Sequence, residues 1–288
     1  MSGAGAGPSA GGAAGAAPAT RLVLIGASGR MGLQILQQLP EIPTLRLTGA
    51  VASERSGALG RDAGMLAGIG DSGVAICAAL PPLLAQADVA VDFSTGTAAA
   101  ANLAACAAAG VPLLIGTTGL PADLQAPLAA AARHIALLVA PNTSLGVNLL
   151  LELVRRAAQA LPLSYDIEVL EAHHRHKRDA PSGTALALAG AAAEGRGQDL
   201  PERAGVAPTD RSGQRPQGQI GFAAVRGGDV VGEHQVLFLG DGERVSLGHA
   251  ATDRGVFARG ALLAARWLAR QPPGRYRMAD VLFSKSDT

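Results

Sequence analysis

The chain has 288 residues, a net charge of +1, 48% hydrophobic residues and only 3% aromatic ones. That length suffices for two modest domains with real cores. The near-zero charge removes the broad electrostatic case for nucleic acid or an anionic membrane as a partner. Two cysteines, Cys77 and Cys106, give no disulfide framework and fit a reducing compartment, so a cytoplasmic location is expected.

Residues 1–19 are Gly, Ala, Pro and Ser with hardly any other side chain, and they lack the basic start of a secretory signal. A disordered tail with no assigned function is expected there. Arg21 to Gly26 then reads as a buried strand. The turn GASGRMG follows, with Gly26, Gly29 and Gly32, and Leu33 to Leu39 reads as a helix. Strand, glycine turn and helix form the pattern of a dinucleotide-binding unit: the glycines let the backbone approach the pyrophosphate, and the helix start faces its charge. The spacing is GxxGxxG in place of GxGxxG, and glycine turns also occur with no ligand. The position at the head of an α/β region favours the cofactor. Leu45 to Ala52 is the second strand. The residue at its end reads the adenosine ribose, acidic for a free 2′-hydroxyl and basic for a 2′-phosphate. Glu54 and Arg55 lie there, and read equally well as solvated loop charges.

Phe93 to Ala122 carries no charged residue, but Gly96, Asn102, Gly110, Pro112, Gly116 and Gly119 interrupt it, so no membrane-spanning helix is expected. Strands are expected at Val89 to Phe93, Val111 to Ile115 and Ile135 to Ala140, and helices at Ala98 to Ala109 and Leu124 to Arg133. This alternation predicts a parallel, doubly wound sheet. Ligands in such sheets lie beyond the strand carboxyl ends, where Phe93-Ser94, Gly116-Thr117-Thr118 and Ala140-Pro141-Asn142-Thr143 fall. Tight turns without a ligand are the competing reading.

Leu145 to Ala160 reads as a helix bridging two domains, and Ser164 to Ala172 as a strand. That strand leads into EAHHRHKRDAPSGTALALA, Glu171 to Ala189. Asp179 to Thr184 reads as a helix start, with Pro preorganised for the first turn and Asp or Ser as cap. Its free N–H groups, on Ser182, Gly183 and Thr184, form an anion site behind a cationic cluster, so a carboxylate ligand is expected. His173 and Lys177, four apart, can converge on one ligand, the histidine exchanging a proton and the lysine binding a carboxylate or delivering a proton. A solvated basic loop is the plainer reading. Glu171, His174 and His176 are conceivable metal ligands, but no further spaced Cys or His pair completes a site, so no metal is expected.

The run EAHHRHK-x-DAPSGTA resembles the signature of the 4-hydroxy-tetrahydrodipicolinate reductase (dihydrodipicolinate reductase) family, and the resemblance extends from about Arg21 to Leu282. It implies an NADPH- or NADH-dependent reductase of the diaminopimelate route to lysine. It implies that His173 and Lys177 are catalytic and that His174, Ser182, Gly183 and Thr184 hold a cyclic dicarboxylate. Gly26, Ala27, Ser28, Gly29, Arg30 and Met31 carry over as cofactor-binding. So do Phe93, Gly116, Thr117, Thr118, Ala140, Pro141, Asn142 and Thr143, on the nicotinamide side. The family's acidic ribose reader falls on Ser53, a departure that leaves the choice between NADH and NADPH open.

Gln198 to Gln217 reads as a loop. Ile220 to Val225, Val230 to Leu239 and Glu243 to Gly248 read as antiparallel strands joined by Gly-rich turns. Such an open sheet packs against another copy, and the resemblance implies a homotetramer built through it. Glu233-His234 reads as a structural hydrogen-bonding pair outside the active site, and His134 and His249 read likewise. Phe257 to Arg270 reads as a final helix. The expected fold class is α/β: a Rossmann-like dinucleotide-binding domain over 20–144, an α+β substrate-binding and tetramerisation domain with an open mixed sheet over 145–253, and a helix over 254–288 returning to the first domain. Hydride addition to a conjugated C=C–C=N system leaves a carbanion or enamine, which His173 protonates beside Lys177. A different dehydrogenase of small acids, and a cofactor sensor without turnover, remain as alternatives.

Overall fold

The computed structural model describes residues 18–199, 215 and 217–284. The expected tail lies outside these apart from its last two residues, as does most of the expected Gln198 to Gln217 loop. Among the described residues no helix is long and apolar enough to cross a membrane.

The first sheet is built from β1 (Thr20–Ile25), α1 (Arg30–Gln38), β2 (Leu45–Val51), α2 (Ala63–Ala67), β3 (Ile76–Cys77), α3 (Pro81–Leu84), β4 (Val89–Asp92), α4 (Gly96–Ala109), β5 (Leu113–Ile115), α5 (Gln125–Ala131) and β6 (Ala136–Val139). Its strands are apolar runs buried on both faces, which is what a parallel sheet covered by helices on each side requires. One face packs Leu22, Leu24, Val89 and Val91 against Ile35 and Leu36 of α1, and the other packs Val23, Ile25, Ala90 and Leu113 against Leu103 and Cys106 of α4. The strand order β6-β5-β4-β1-β2-β3 reverses between β1 and β4. That reversal opens a crevice beyond the carboxyl ends of those two strands, where ligands of such sheets sit.

The chain then forms α6 (Leu145–Ala160), β7 (Asp166–His173), α7 (Gly183–Gly195), β8 (Ile220–Arg226), β9 (Gly232–Gly240) and β10 (Glu243–Ala251). Their sheet has the order β10-β9-β7-β8. This corrects the expected run of antiparallel strands. β9 and β10 form a hairpin, but β8 pairs in parallel with β7 and not with β9. The physical reason is the connection: β8 follows β7 through α7, and a crossover of that kind returns a strand parallel to the one it left. Gly227 and Gly228 therefore turn across the end of β7, where Gly227 N–H donates to His173 O (3.0 Å) and Arg175 N–H to Gly228 O (3.3 Å). α6 and α7 cover one face of this sheet, through Leu150, Val154, Leu188 and Ala192 against Val169, Val236 and Phe238.

α8 (Gly255–Leu268) carries the chain back to the first sheet, then β11 (Gly274–Tyr276) and α9 (Met278–Phe283) follow. Ala258, Ala261, Ala264 and Ala265 bury α8 against that sheet, small side chains permitting the close approach that a core poor in aromatics needs. β11 pairs in parallel with β6 as the seventh strand. Neither β11 nor α9 was anticipated.

Candidate active site

At the crevice of the first sheet, Gly26 has φ +84° and Gly29 caps α1 with extended backbone. A Cβ on Gly26 would stand 2.5 Å from Phe93 O, and one on Gly32 would stand 2.2 Å from Gly26 O. Two of the three glycines thus let β1, α1 and the loop after β4 close on one another, in addition to leaving backbone open for a ligand. Gly29 and Arg30 are exposed and the first turn of α1 holds no acidic residue, a donor set that fits an anionic phosphate. Ser53 is exposed and its hydroxyl accepts from Arg55 N–H at 3.3 Å. Glu54 and Arg55 are exposed beside it.

Asp92, at the end of β4, organises the neighbouring loops and was missed by sequence reasoning. It is fully buried and accepts from Ser94 N–H (2.8 Å), Asn102 Nδ2 (2.9 Å) and Thr117 Oγ1 (3.3 Å). Thr117, expected to touch a cofactor, is buried with its hydroxyl on Asp92. Thr143 is likewise buried, its Oγ1 donating to Phe257 O at 2.7 Å. The Phe93 ring covers Gly116 so closely that a Cβ there would lie 2.2 Å from it. Thr118 and Pro141 are exposed and Ala140 is buried. Asn142 reaches the second half of the chain: its Oδ1 accepts from Ser144 N–H (2.9 Å) and its Nδ2 donates to Thr184 Oγ1 (3.1 Å).

In β7, Ile167, Val169, Glu171 and His173 share the covered face, so a carboxylate and an imidazole occupy positions where apolar residues are the rule. Glu171 is saturated. Arg226 donates to both oxygens (2.6 and 2.8 Å), Ser182 N–H donates to Oε1 (3.2 Å), and Oε2 faces His173 Nδ1. Burial alone would raise the Glu171 carboxyl, but the Arg226 and His173 hydrogen bonds outweigh it and hold it below the usual range. Burial pushes His173 below the ordinary imidazole range, Lys177 and Arg226 add to this, and Glu171 opposes it. Lys177 Nζ lies 2.8 Å from the Asp179 carboxylate. Its charge acts on His173, but its ammonium pairs with Asp179, an exchange that a substrate carboxylate would have to make.

The start of α7 uses the second of its two expected caps. Ser182 is the cap, its hydroxyl accepting from Ala185 N–H at 3.1 Å, so Pro181 precedes the helix and does not lie in its first turn as expected. Its N–H is taken by Glu171 and its Oγ contacts His234 Nε2 at 3.1 Å, in a side chain only 2% exposed. Ser182 therefore builds the site and does not present a donor to it. Gly183 and Thr184, exposed and half-buried, keep their place at the helix start. His174 Nδ1 accepts from His176 N–H at 3.2 Å. Both line a cleft together with Arg30 of the glycine turn and Arg254 before α8. Arg254 is a cationic contributor that no sequence motif marked.

His234 is a second correction. Its partner is Ser182, not Glu233, and its ring lies edge-on to His173 with centroids 5.0 Å apart. Burial lowers it to about 4, and its Nδ1 is buried without a hydrogen-bond partner. The register of β7 and β9 sets Glu171 opposite His234, which a correct strand order would have revealed. Glu171, His173 and His234 each offer an atom within 4.8 Å of the others, a different set from Glu171, His174 and His176. The donors already on Glu171 account for that cluster.

The two halves described above match two family models. Residues 20–143 match dihydrodipicolinate reductase, N-terminus, and residues 146–282 match dihydrodipicolinate reductase, C-terminus. The chain belongs to the dihydrodipicolinate reductase family. Among its reductase relatives, the 4-hydroxy-tetrahydrodipicolinate reductase of Anaeromyxobacter dehalogenans strain 2CP-1 is 50% identical over 263 residues, 91% of this chain and 97% of that protein. The protein of the same name from Alkalilimnicola ehrlichii is 49% identical over 91% of this chain and 98% of its own. A solved dihydrodipicolinate reductase from Paenisporosarcina sp. TG-14, with dipicolinate bound, superimposes with a TM-score of 0.72 at 25% identity, covering 90% of this chain and 97% of that one.

Proposed function

We propose that this reductase converts 4-hydroxy-tetrahydrodipicolinate to tetrahydrodipicolinate with loss of water, using NADPH or NADH, in the diaminopimelate route to lysine. The observation that carries the reading is the bond between Asn142 and Thr184. It joins the loop beyond β6, at the ligand end of the first sheet, to the start of α7, where an anion is favoured. Hydride donor and dicarboxylate acceptor then share one seam.

The nicotinamide cofactor supplies a hydride when bound. Gly26, Ala27, Ser28, Gly29, Arg30 and Met31 would hold its pyrophosphate, and Ser53 would meet its ribose. Phe93, Gly116, Thr117, Thr118, Ala140, Pro141, Asn142 and Thr143 shape the nicotinamide end, Thr117 and Thr143 through backbone. Gly183 and Thr184 receive one substrate carboxylate at the start of α7, with His174 and Lys177 adding positive charge. His173 gives the proton that completes reduction, and Lys177 polarises the substrate beside it. The domains divide at residues 20–144, 145–253 and 254–288. The open face of the second sheet joins four copies, and the enzyme works in the cytoplasm. Oxidation of NADPH and NADH, followed with substrate generated in situ, tests the reading. Turnover dependent on the generated substrate supports it; binding of NADPH with no turnover contradicts it.

A further inference from the structure

We propose that Glu171, clamped by Arg226, is the positioning residue of His173, fixing its Nδ1 so that Nε2 is the ring atom turned to the substrate. This rests on His173 being the proton donor argued above.

A carboxylate 1% exposed, on the covered face of a strand, is costly to bury unless its oxygens are fully engaged. Glu171 meets that condition with four contacts from three residues: Arg226 of β8 twice, Ser182 at the start of α7, and His173 two residues along β7. An ionised carboxylate only accepts, so His173 Nδ1 carries the hydrogen between them. The tautomer is thereby set, and Nε2 remains for chemistry. Gly232 of β9 leaves room beside that atom: a Cβ there would stand 3.1 Å from Nε2. His234, the other ring nearby, is turned to Ser182.

The titratable groups facing His173 come from several elements. Glu171 lies on its own strand, Arg226 on β8, Lys177 on the following loop and the neutral His234 ring on β9. Glu171 favours the imidazolium, while Arg226 and Lys177 disfavour it. Arg226 therefore both keeps Glu171 ionised and tempers its pull on His173. When the Nε2–H bond breaks, the substrate carbanion's electron pair becomes the new C–H bond and Nε2 keeps its own pair. The ring left behind is neutral, with Nδ1–H still on Glu171.

The test is the pH profile of turnover at saturating substrate and cofactor for wild type, Glu171→Gln and Arg226→Gln. Activity that needs protonated His173 falls as pH rises through its pKa. Glu171→Gln should move that falling limb to lower pH, and Arg226→Gln should move it to higher pH, each by about 1 unit. Cofactor dissociation constants should stay as in wild type, since Gly26 to Met31 lie elsewhere. A folded Glu171→Gln with wild-type turnover and an unmoved limb overturns the proposal. If a variant does not fold, ¹⁵N shifts of wild-type His173 decide: the neutral ring should be the Nδ1–H tautomer, and the Nε2–H tautomer overturns the proposal. His173→Ala separates the two levels. Unchanged turnover there removes the proton-donor reading, whereas lost turnover with an unmoved Glu171→Gln limb removes only the positioning role.

Discussion

Thr143 and Phe257, 114 residues apart in sequence, meet through a hydrogen bond of 2.7 Å from the threonine hydroxyl to the phenylalanine carbonyl. The contact pins the start of α8 to the loop beyond β6, and Gly260 lets the helix approach so closely that a Cβ there would lie 1.9 Å from Thr143 O. The side chain expected to touch a cofactor is thus engaged in securing its own loop. Thr143→Val should cost about 1 kcal/mol of stability through the lost hydrogen bond, with little change in the Michaelis constant for NADPH. Gly260→Ala should cost more, because backbone must move. Thermal melts and cofactor titrations of both variants check this; a large NADPH defect with no stability loss in Thr143→Val would contradict it.

The cofactor preference should be weak. Ser53 is uncharged, and Glu54 and Arg55 are both exposed, so neither a committed ribose acceptor nor a committed phosphate donor is built in. One exposed charge-assisted contact is worth about 1–3 kcal/mol at most. Discrimination between NADH and NADPH should therefore stay under roughly a hundredfold. Steady-state kinetics with each cofactor measure it, and a preference of several thousandfold would reveal a reader elsewhere.

Acid should loosen the second sheet through His234. Its folded pKa of about 4 lies below the 6.5 of the free side chain, so the unfolded chain takes up the proton first. The stability this buried neutral ring contributes is complete above pH 6.5 and is lost as pH falls through about 4. That gap corresponds to about 3 kcal/mol. Chemical denaturation between pH 7 and pH 4 should show the loss, and His234→Gln should flatten the curve in that window. An identical pH slope in the variant would remove His234 as its source.

Much of this was legible beforehand, for identifiable reasons. The Rossmann-like sheet was readable because its strands are near-continuous apolar runs punctuated by glycine, and α6 coincided with its expected span. The second sheet's order was not, because hairpin logic joins neighbours in sequence, whereas β7 and β8 are joined through α7. That error hid His234, which only the pairing with β7 brings beside Glu171. Ser182 was read as a donor because a helix start leaves N–H groups free; nothing local shows that Glu171, eleven residues earlier, takes this one. Asp92 was passed over as the end of a strand, although a buried acid there needed partners.

The central claim is that His173 supplies the proton completing reduction, with Lys177 beside it. Turnover, apparent Michaelis constant and cofactor dissociation constant for His173→Ala, Lys177→Ala and the double variant test it most directly. General acid catalysis supplies about 10²–10⁴-fold, so His173→Ala should lose turnover in that range with NADPH still bound. Lys177→Ala should lose turnover and raise the Michaelis constant for substrate, and the double variant should be little worse than the poorer single one, because groups acting as a unit do not add. Near-wild-type turnover in His173→Ala, with cofactor bound, would contradict the account and leave the cluster a basic loop.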